Sequence, residues 1–539
     1  MKVFFLLLLP FLTVAWISEA QTYDLLIKNG RIVDGTGSPW YTGDIAVKDD
    51  KIMAIGKLSN ASAKRSIDAT GLIVAPGFID MMGQSSASFI KDPNTALNLL
   101  TQGITTINAG EGGSDAPLND EEAKTQGWKT MRQYFTLLEK AGMPMNMVQT
   151  VGHTQVRYLV IGDKDRQATP KEMDTMRGMV QEAMEAGAIG LSTSLIYPPA
   201  IYGSEEEIAE LAKVAGKYGG RYFTHMRNEG DRLMEAIDEA LRIGKAAGTP
   251  VHIFHLKAAG QTNWGKMDMA IARIKEARAN GQEVGVDIYP YINNGLGIRA
   301  LLHPRHAADG QDALLEKLKD PKVRAVMRNE METLAGWENW FAHAGKNWDR
   351  IVVAHLEDTP YATHNGNTIG AIAKAEKKLP WDVFFDLTMY EVFAMPQTMS
   401  EVNKMKAMRE EFTSFDTDAG PAATGYAVHP RGYGAFPRVL SHYVKGLGVL
   451  SLEGAIHRMS AVAANEIMAY DRGTLAPGLA ADIVLFDFNT IEDRATFASP
   501  ATHSEGVKWV IVNGKIVIEN NKYTGAKPGK VIRGPGYKP

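Results

Sequence analysis

Cysteine is absent from all 539 residues, which excludes disulfide scaffolds, thiol nucleophiles and thiolate metal sites. Any metal held here must sit on His, Asp, Glu or main-chain oxygen. A dominant charge is lacking as well: 58 Lys plus Arg against 62 Asp plus Glu leave a formal net charge of -4, with no broad field to draw in nucleic acid or an anionic membrane. No nucleic-acid partner is expected. No solenoid period or low-complexity tract is present, and beyond the first residues no apolar run is long enough to cross a bilayer. What remains is ordinary globular composition, 45% hydrophobic and 22% charged, sufficient for a large core.

Lys2 precedes an apolar run from Val3 through Val14, and Ser18-Glu19-Ala20 follows, with small residues at both positions that define a signal-peptidase cut. The run is shorter than the roughly 20 apolar residues of a spanning helix. Residues 1–20 therefore read as an export signal cleaved near Ala20, leaving no stable membrane anchor and a periplasmic or secreted mature chain.

From Tyr23 to Ile79 short strand-like runs alternate with Asn-Gly, Asp-Gly and Asp-Asp-Lys breaks, and the same texture returns at Asp482–Asp487, Trp509–Gly514 and Lys515–Ile518. Each flank is too small for its own core, so residues 21–75 and 470–539 are expected to pair as one small β-sandwich domain. Between them, residues 76–469 alternate apolar strand-like runs with helical stretches. The strand candidates are Phe78-Ile-Asp-Met, Thr105-Thr-Ile-Asn-Ala, Met147-Val-Gln-Thr-Val, Ile189-Gly-Leu-Ser, Tyr222-Phe-Thr-His, Val251-His-Ile-Phe-His, Val284-Gly-Val-Asp-Ile-Tyr and Phe412-Thr-Ser-Phe-Asp. The fold class expected is α/β, a (β/α)8 TIM-like barrel. A ninth candidate, Ile351-Val-Val-Ala-His, follows a polar helix-rich stretch read as an insertion over about 292–350.

Catalytic groups of a barrel collect where strands end at their carboxyl side. His225 and His255 each end an apolar run, and Glu111 follows another in Gly110-Glu-Gly-Gly113. Two imidazoles and one carboxylate with an open position make a catalytic zinc shell, able to bring the pKa of a water to about 7. The glycines around Glu111 lack the spacing and lysine of a phosphate loop. Asp416-Thr-Asp418 closes the last strand candidate, where a carboxylate could take a proton from water and return it to a leaving amine.

Several segments resemble the metal-dependent amidohydrolase superfamily: Leu26-Ile-Lys-Asn-Gly-Arg-Ile-Val-Asp-Gly-Thr-Gly37, Ile73-Val-Ala-Pro-Gly-Phe-Ile-Asp80 and Thr224-His-Met-Arg-Asn-Glu229. Within it the chain is similar to the N-acyl-D-amino-acid deacylases, or D-aminoacylases, through Gly190–Pro198, His255-Leu-Lys257, Asn263-Trp-Gly265, Asp287–Tyr291, His429–Arg438 and Arg472–Gly478. The resemblance implies a barrel beside a small β-domain, one zinc ion per chain held by Glu111, His225 and His255, and Asp418 as the catalytic aspartate with Asp416 in reserve. Glu111 stands where those enzymes commonly carry a cysteine ligand. Lys257, Tyr197, Tyr291 and Arg431 are the residues it implies for binding a substrate carboxylate. One departure is plain: the superfamily's His-x-His after the first strand is replaced by Met82 and Gln84, neither a good zinc ligand. The expected activity is zinc-dependent hydrolysis of the amide bond in a small N-acyl amino acid, with the D-series favoured. Dipeptides, cyclic amides or carbamates are alternative substrates, and a non-catalytic exported binding protein on a degenerate barrel is the rival class.

Overall fold

The computed structural model describes residues 22–539, so the export signal expected over 1–20 lies outside the described residues. Among the described residues no helix is long and apolar enough to cross a membrane.

All eight barrel candidates form strands, at Phe78–Asp80, Ile104–Ala109, Asn146–Gln149 continued by Val151–Gly152, Gly190–Ser194, Arg221–His225, Val251–Ile253, Val284–Ile288 and Thr413–Phe415. Neighbours pair in parallel, and the Met81 N–H donates to Phe415 O at 3.2 Å to bring the last strand to the first. The Gly190–Ser194, Arg221–His225 and Val284–Ile288 strands are buried at every position, which is why they read as continuous apolar or small-residue runs rather than alternations. The helices outside follow their sequence signals. Pro170–Ala186 starts with a Thr169/Glu172 capping box and a proline in its first turn, and ends on Gly187 at φ 111°. Leu233–Ala247 buries Leu233, Ala236, Ile237, Ala240 and Leu241, the three-and-four spacing of one face.

The two chain ends meet in one sheet. Strand Ile483–Phe486 runs antiparallel to Ile73–Pro76, joining both flanks into one nine-stranded sheet. Leu25, Ile27, Ile45, Val47, Ile67, Leu485 and Ile511 share a single core on that sheet. The C-terminal tail then returns beneath the barrel, where Ile532 donates to Met147 O and Gly534 to Gly187 O, both at 2.8 Å.

The insertion is larger than the expected 292–350. The ninth strand candidate, Ile351–Ala354, is not a barrel strand: it pairs antiparallel with Phe393–Pro396, which also pairs with Leu296–Gly297. Helices Ile369–Glu376 and Pro380–Leu387 belong to the same unit, and only after it does Glu401–Arg409 return to pack on the barrel. Its core is aromatic, with Phe341 and Trp348 ring centroids 4.4 Å apart and Trp381 4.9 Å from Trp348. It docks over the carboxyl ends of the barrel strands, where Glu338 Oε2 accepts the Glu229 N–H at 2.9 Å.

Candidate metal centre and active site

Three barrel strands deliver three donors to one point. His225 is the last residue of Arg221–His225. His255 lies just past Val251–Ile253 in a left-handed conformation, φ 36°, which costs energy for a residue with a Cβ. Asp287 holds that turn by accepting the His255 N–H, while Asp287 O accepts Leu256 N–H at 2.9 Å. Glu111 sits in a glycine turn that its neighbours require: a Cβ on Gly112, φ 72°, would lie 2.5 Å from Ser194 N.

The donor atoms of Glu111, His225 and His255 all lie within 4.8 Å of one another. Glu111 Oε1 is 2.6 Å from His225 Nδ1 and 3.3 Å from His255 Nε2, and the imidazole centroids are 4.4 Å apart. Behind the rings stands Glu229, with Oε1 at 3.1 Å from His255 Nδ1 and Oε2 at 3.6 Å from His225 Nε2. A carboxylate behind each ligating imidazole is the arrangement that orients metal-binding histidines. Electrostatics agree with the donor set. Burial and Lys257 push the His255 imidazole down, but Glu229 and Glu111 outweigh them and raise it to about 9. Burial pushes Glu111 up, yet the two histidines hold it well below the usual carboxylate range. The point where the donors meet thus favours positive charge, and two histidines with one carboxylate fit a zinc ion.

Asp418, at φ 44°, lies beside this centre, and both line a cavity of about 620 Å³. Its Oδ1 accepts from Gln84 Nε2 at 3.0 Å, and its Oδ2 lies 2.7 Å from Arg431 Nη1. Burial raises its carboxyl, Arg431 opposes the rise and Glu111 adds to it, for a net upward shift. Asp416, the reserve candidate, is buried beneath the floor near Asp287 and does not line the cavity.

Lys257, Tyr197 and Arg431 line the cavity. Lys257 Nζ donates to Glu229 Oε1 at 2.6 Å. Tyr197 stands edge-on to His225 with centroids 5.8 Å apart, and burial beside Glu111, Asp418 and Glu229 keeps its phenol protonated and able to donate. Tyr291 does not belong with them. The chain turns at Pro290 just past the strand, and Tyr291 packs against Arg438 and His429 behind the wall, 5.0 and 5.4 Å between centres. Tyr289 takes its place in the lining, its ring faced by Lys404 at 4.2 Å, Arg431 at 4.7 Å and Lys257 at 5.7 Å. Sequence reasoning missed Tyr289, Glu229 and Gln84 as site residues. Glu229 carried a signal, four residues beyond His225 in the Thr224–Glu229 segment. Of the two residues replacing the histidine pair, Met82 is buried in an apolar cluster with Ile79, Val148 and Phe223, and only Gln84 reaches the cavity.

Comparison with known proteins gives the family. The pattern of the amidohydrolase family matches residues 65–518. The chain belongs to that family. A D-aminoacylase of Alcaligenes xylosoxydans xylosoxydans is 32% identical over 526 residues, covering 96% of this chain and 98% of that one. An N-acyl-D-glutamate deacylase of the same organism is 33% identical over 523 residues, covering 95% and 97%. The crystal structure of N-acyl-D-glutamate deacylase from Bordetella bronchiseptica, complexed with zinc and a phosphonate mimic of the tetrahedral intermediate, superposes with a TM-score of 0.81 at 31% identity, covering 95% of this chain and 100% of that one. This amidohydrolase is thus similar to the deacylases over nearly all of the aligned length, and it carries the barrel, the additional β-domain and the three-donor centre in one chain.

Proposed function

We propose that the protein is a zinc-dependent hydrolase of the amide bond in N-acyl amino acids, with the D-series favoured. The observation that carries this is the convergence of Glu111, His225 and His255 opposite a buried carboxylate, Asp418, whose pKa burial raises against the opposing pull of Arg431. A zinc ion held by Glu111, His225 and His255 would supply Lewis acidity toward the amide carbonyl and would acidify water at the site. Asp418, facing the same cavity, would take a proton from the attacking water and return it to the departing nitrogen. The Tyr197 hydroxyl, neutral and facing the same cavity, donates to the carbonyl oxygen as negative charge develops there.

Charge sets the substrate class. With both imidazoles neutral on a divalent ion, Lys257, Arg431 and the ion outweigh Glu111, Glu229 and Asp418 by one positive charge, which suits a single substrate carboxylate. The cavity is also lined by Leu296, Trp340, Phe393, Ala422 and Val428, apolar surface that favours neutral acyl groups and side chains. The assembled donors and proton-transfer group count against the binding-protein reading. The Lys2–Ala20 segment supports a site of action outside the cytoplasm.

The test is zinc content per chain by elemental mass spectrometry, combined with turnover of matched N-acetyl-D- and N-acetyl-L-amino acids. About one zinc and turnover of D-leucine and D-methionine derivatives are expected. Bound zinc without turnover of any N-acyl amino acid would defeat the proposal.

A further inference from the structure

Gln84 is placed with unusual care for a residue that can contribute little to a metal. Its backbone is left-handed, φ 57°, and is pinned by the Gly110 N–H donating to Gln84 O at 2.6 Å. Gly83 before it lies so close to the next strand that a Cβ would stand 2.8 Å from Ile107 Cβ. Gly420 closes the other side, where a Cβ would be 3.4 Å from that of Gln84. The result is a side chain aimed between two carboxylates: Nε2 donates to Glu111 Oε2 at 2.8 Å and to Asp418 Oδ1 at 3.0 Å. An amide nitrogen has two hydrogens, and both are used. The orientation is dictated by chemistry, because the amide oxygen would face two acceptors with no proton between them.

Glu111 and Asp418 raise one another's cost of ionisation, and something must hold them together. A cation between them would do so. We propose that the Gln84 amide performs that task instead, positioning Asp418 against the metal-ligating carboxylate while occupying the space a second ion would need, so that the centre saturates at one metal ion. Met82 offers no alternative site, since its thioether is buried in the barrel interior. The inference rests on Glu111, His225 and His255 being the metal ligands.

The isosteric Gln84→Glu variant removes both hydrogen bonds at constant volume and sets an acceptor against two acceptors. Three carboxylates then face one another, a donor set that attracts a divalent cation when zinc is in excess of what proton uptake can offset. In equilibrium dialysis against excess zinc chloride, read by elemental mass spectrometry, wild-type protein is expected to hold one zinc per chain and Gln84→Glu two. Gln84→Leu, which removes the bridge without adding charge, is expected to keep one zinc and an unchanged KM while kcat falls about 10- to 100-fold, the usual effect of losing a residue that orients a metal centre. Two zinc ions in wild-type protein would overturn the inference, as would a single zinc in Gln84→Glu or a wild-type kcat in Gln84→Leu. A wild-type count of zero would instead defeat the ligand assignment itself.

Discussion

Asp418→Asn isolates the chemical step from metal binding. Asparagine matches aspartate in volume but has one acceptor oxygen and two amide hydrogens. It can satisfy Gln84 or Arg431, and turns its own N–H groups on the other. At 2.7 Å and an effective dielectric of about 20, the attraction lost from Arg431 is ~6 kcal/mol before desolvation. Burial of both groups offsets most of it, and Arg431 keeps Asp416 and Glu111 as farther counter-charges. A net loss of about 1–3 kcal/mol in stability is therefore expected, read from chemical denaturation. Catalysis should lose more, because a positioned acid–base group contributes about 10²–10⁴ in rate, equivalent to about 3–5 kcal/mol of barrier. The assay is steady-state kcat and KM for N-acetyl-D-leucine with zinc content measured on the same sample. Zinc should remain bound, since Asp418 is not among the three converging donors. A kcat within about fivefold of wild type at full zinc occupancy would refute the assignment of proton transfer to Asp418.

Glu111→Ala, His225→Ala and His255→Ala should each strip zinc from purified protein, and retention of a full zinc complement in all three would remove the metal centre from these residues. Phe393→Arg places a cation in the apolar wall and should raise the preference for N-acetyl-D-glutamate over N-acetyl-D-leucine about 10- to 100-fold in kcat/KM, the value of one charge-assisted hydrogen bond; an unchanged ratio would place the side-chain pocket elsewhere. His252 bears on pH stability. Burial lowers its pKa, but bonds to Asp287 and Glu466 raise it overall from 6.5 to about 9. Folded protein then retains a proton that the unfolded chain has lost, so this stabilisation is complete below pH 6.5 and fades as pH rises through about 9, by about 3 kcal/mol at most. His252→Gln should flatten the decline in denaturation midpoint across that window, and a wild-type slope in the variant would refute the linkage. Gly112→Ala should destabilise by about 1–3 kcal/mol because of its positive φ and the close Ser194 backbone, with loss of zinc; a neutral effect would mean that the Glu111 turn is not so constrained.

Much of this molecule is written locally. The barrel strands are short apolar or small-residue runs because both faces of a parallel strand are covered, so periodicity and length expose them without any tertiary knowledge. His225, His255 and Asp418 could be singled out for the same reason, as polar residues ending buried runs. The absence of cysteine restricted the ligand chemistry before any fold was considered. Three-dimensional packing decided the rest. Ile351–Ala354 has the composition of a barrel strand, and only its antiparallel partner Phe393–Pro396 shows that it belongs to the insertion. Tyr289 and Tyr291 are indistinguishable as aromatic residues after a strand; the turn at Pro290 and the neighbouring Arg438 decide which one faces the cavity. Gln84 reads in sequence as a lost ligand, a negative feature. Its bridge between Glu111 and Asp418 joins residues 27 and 334 positions away, and no local pattern encodes a hydrogen bond whose two acceptors are brought together by closure of the barrel.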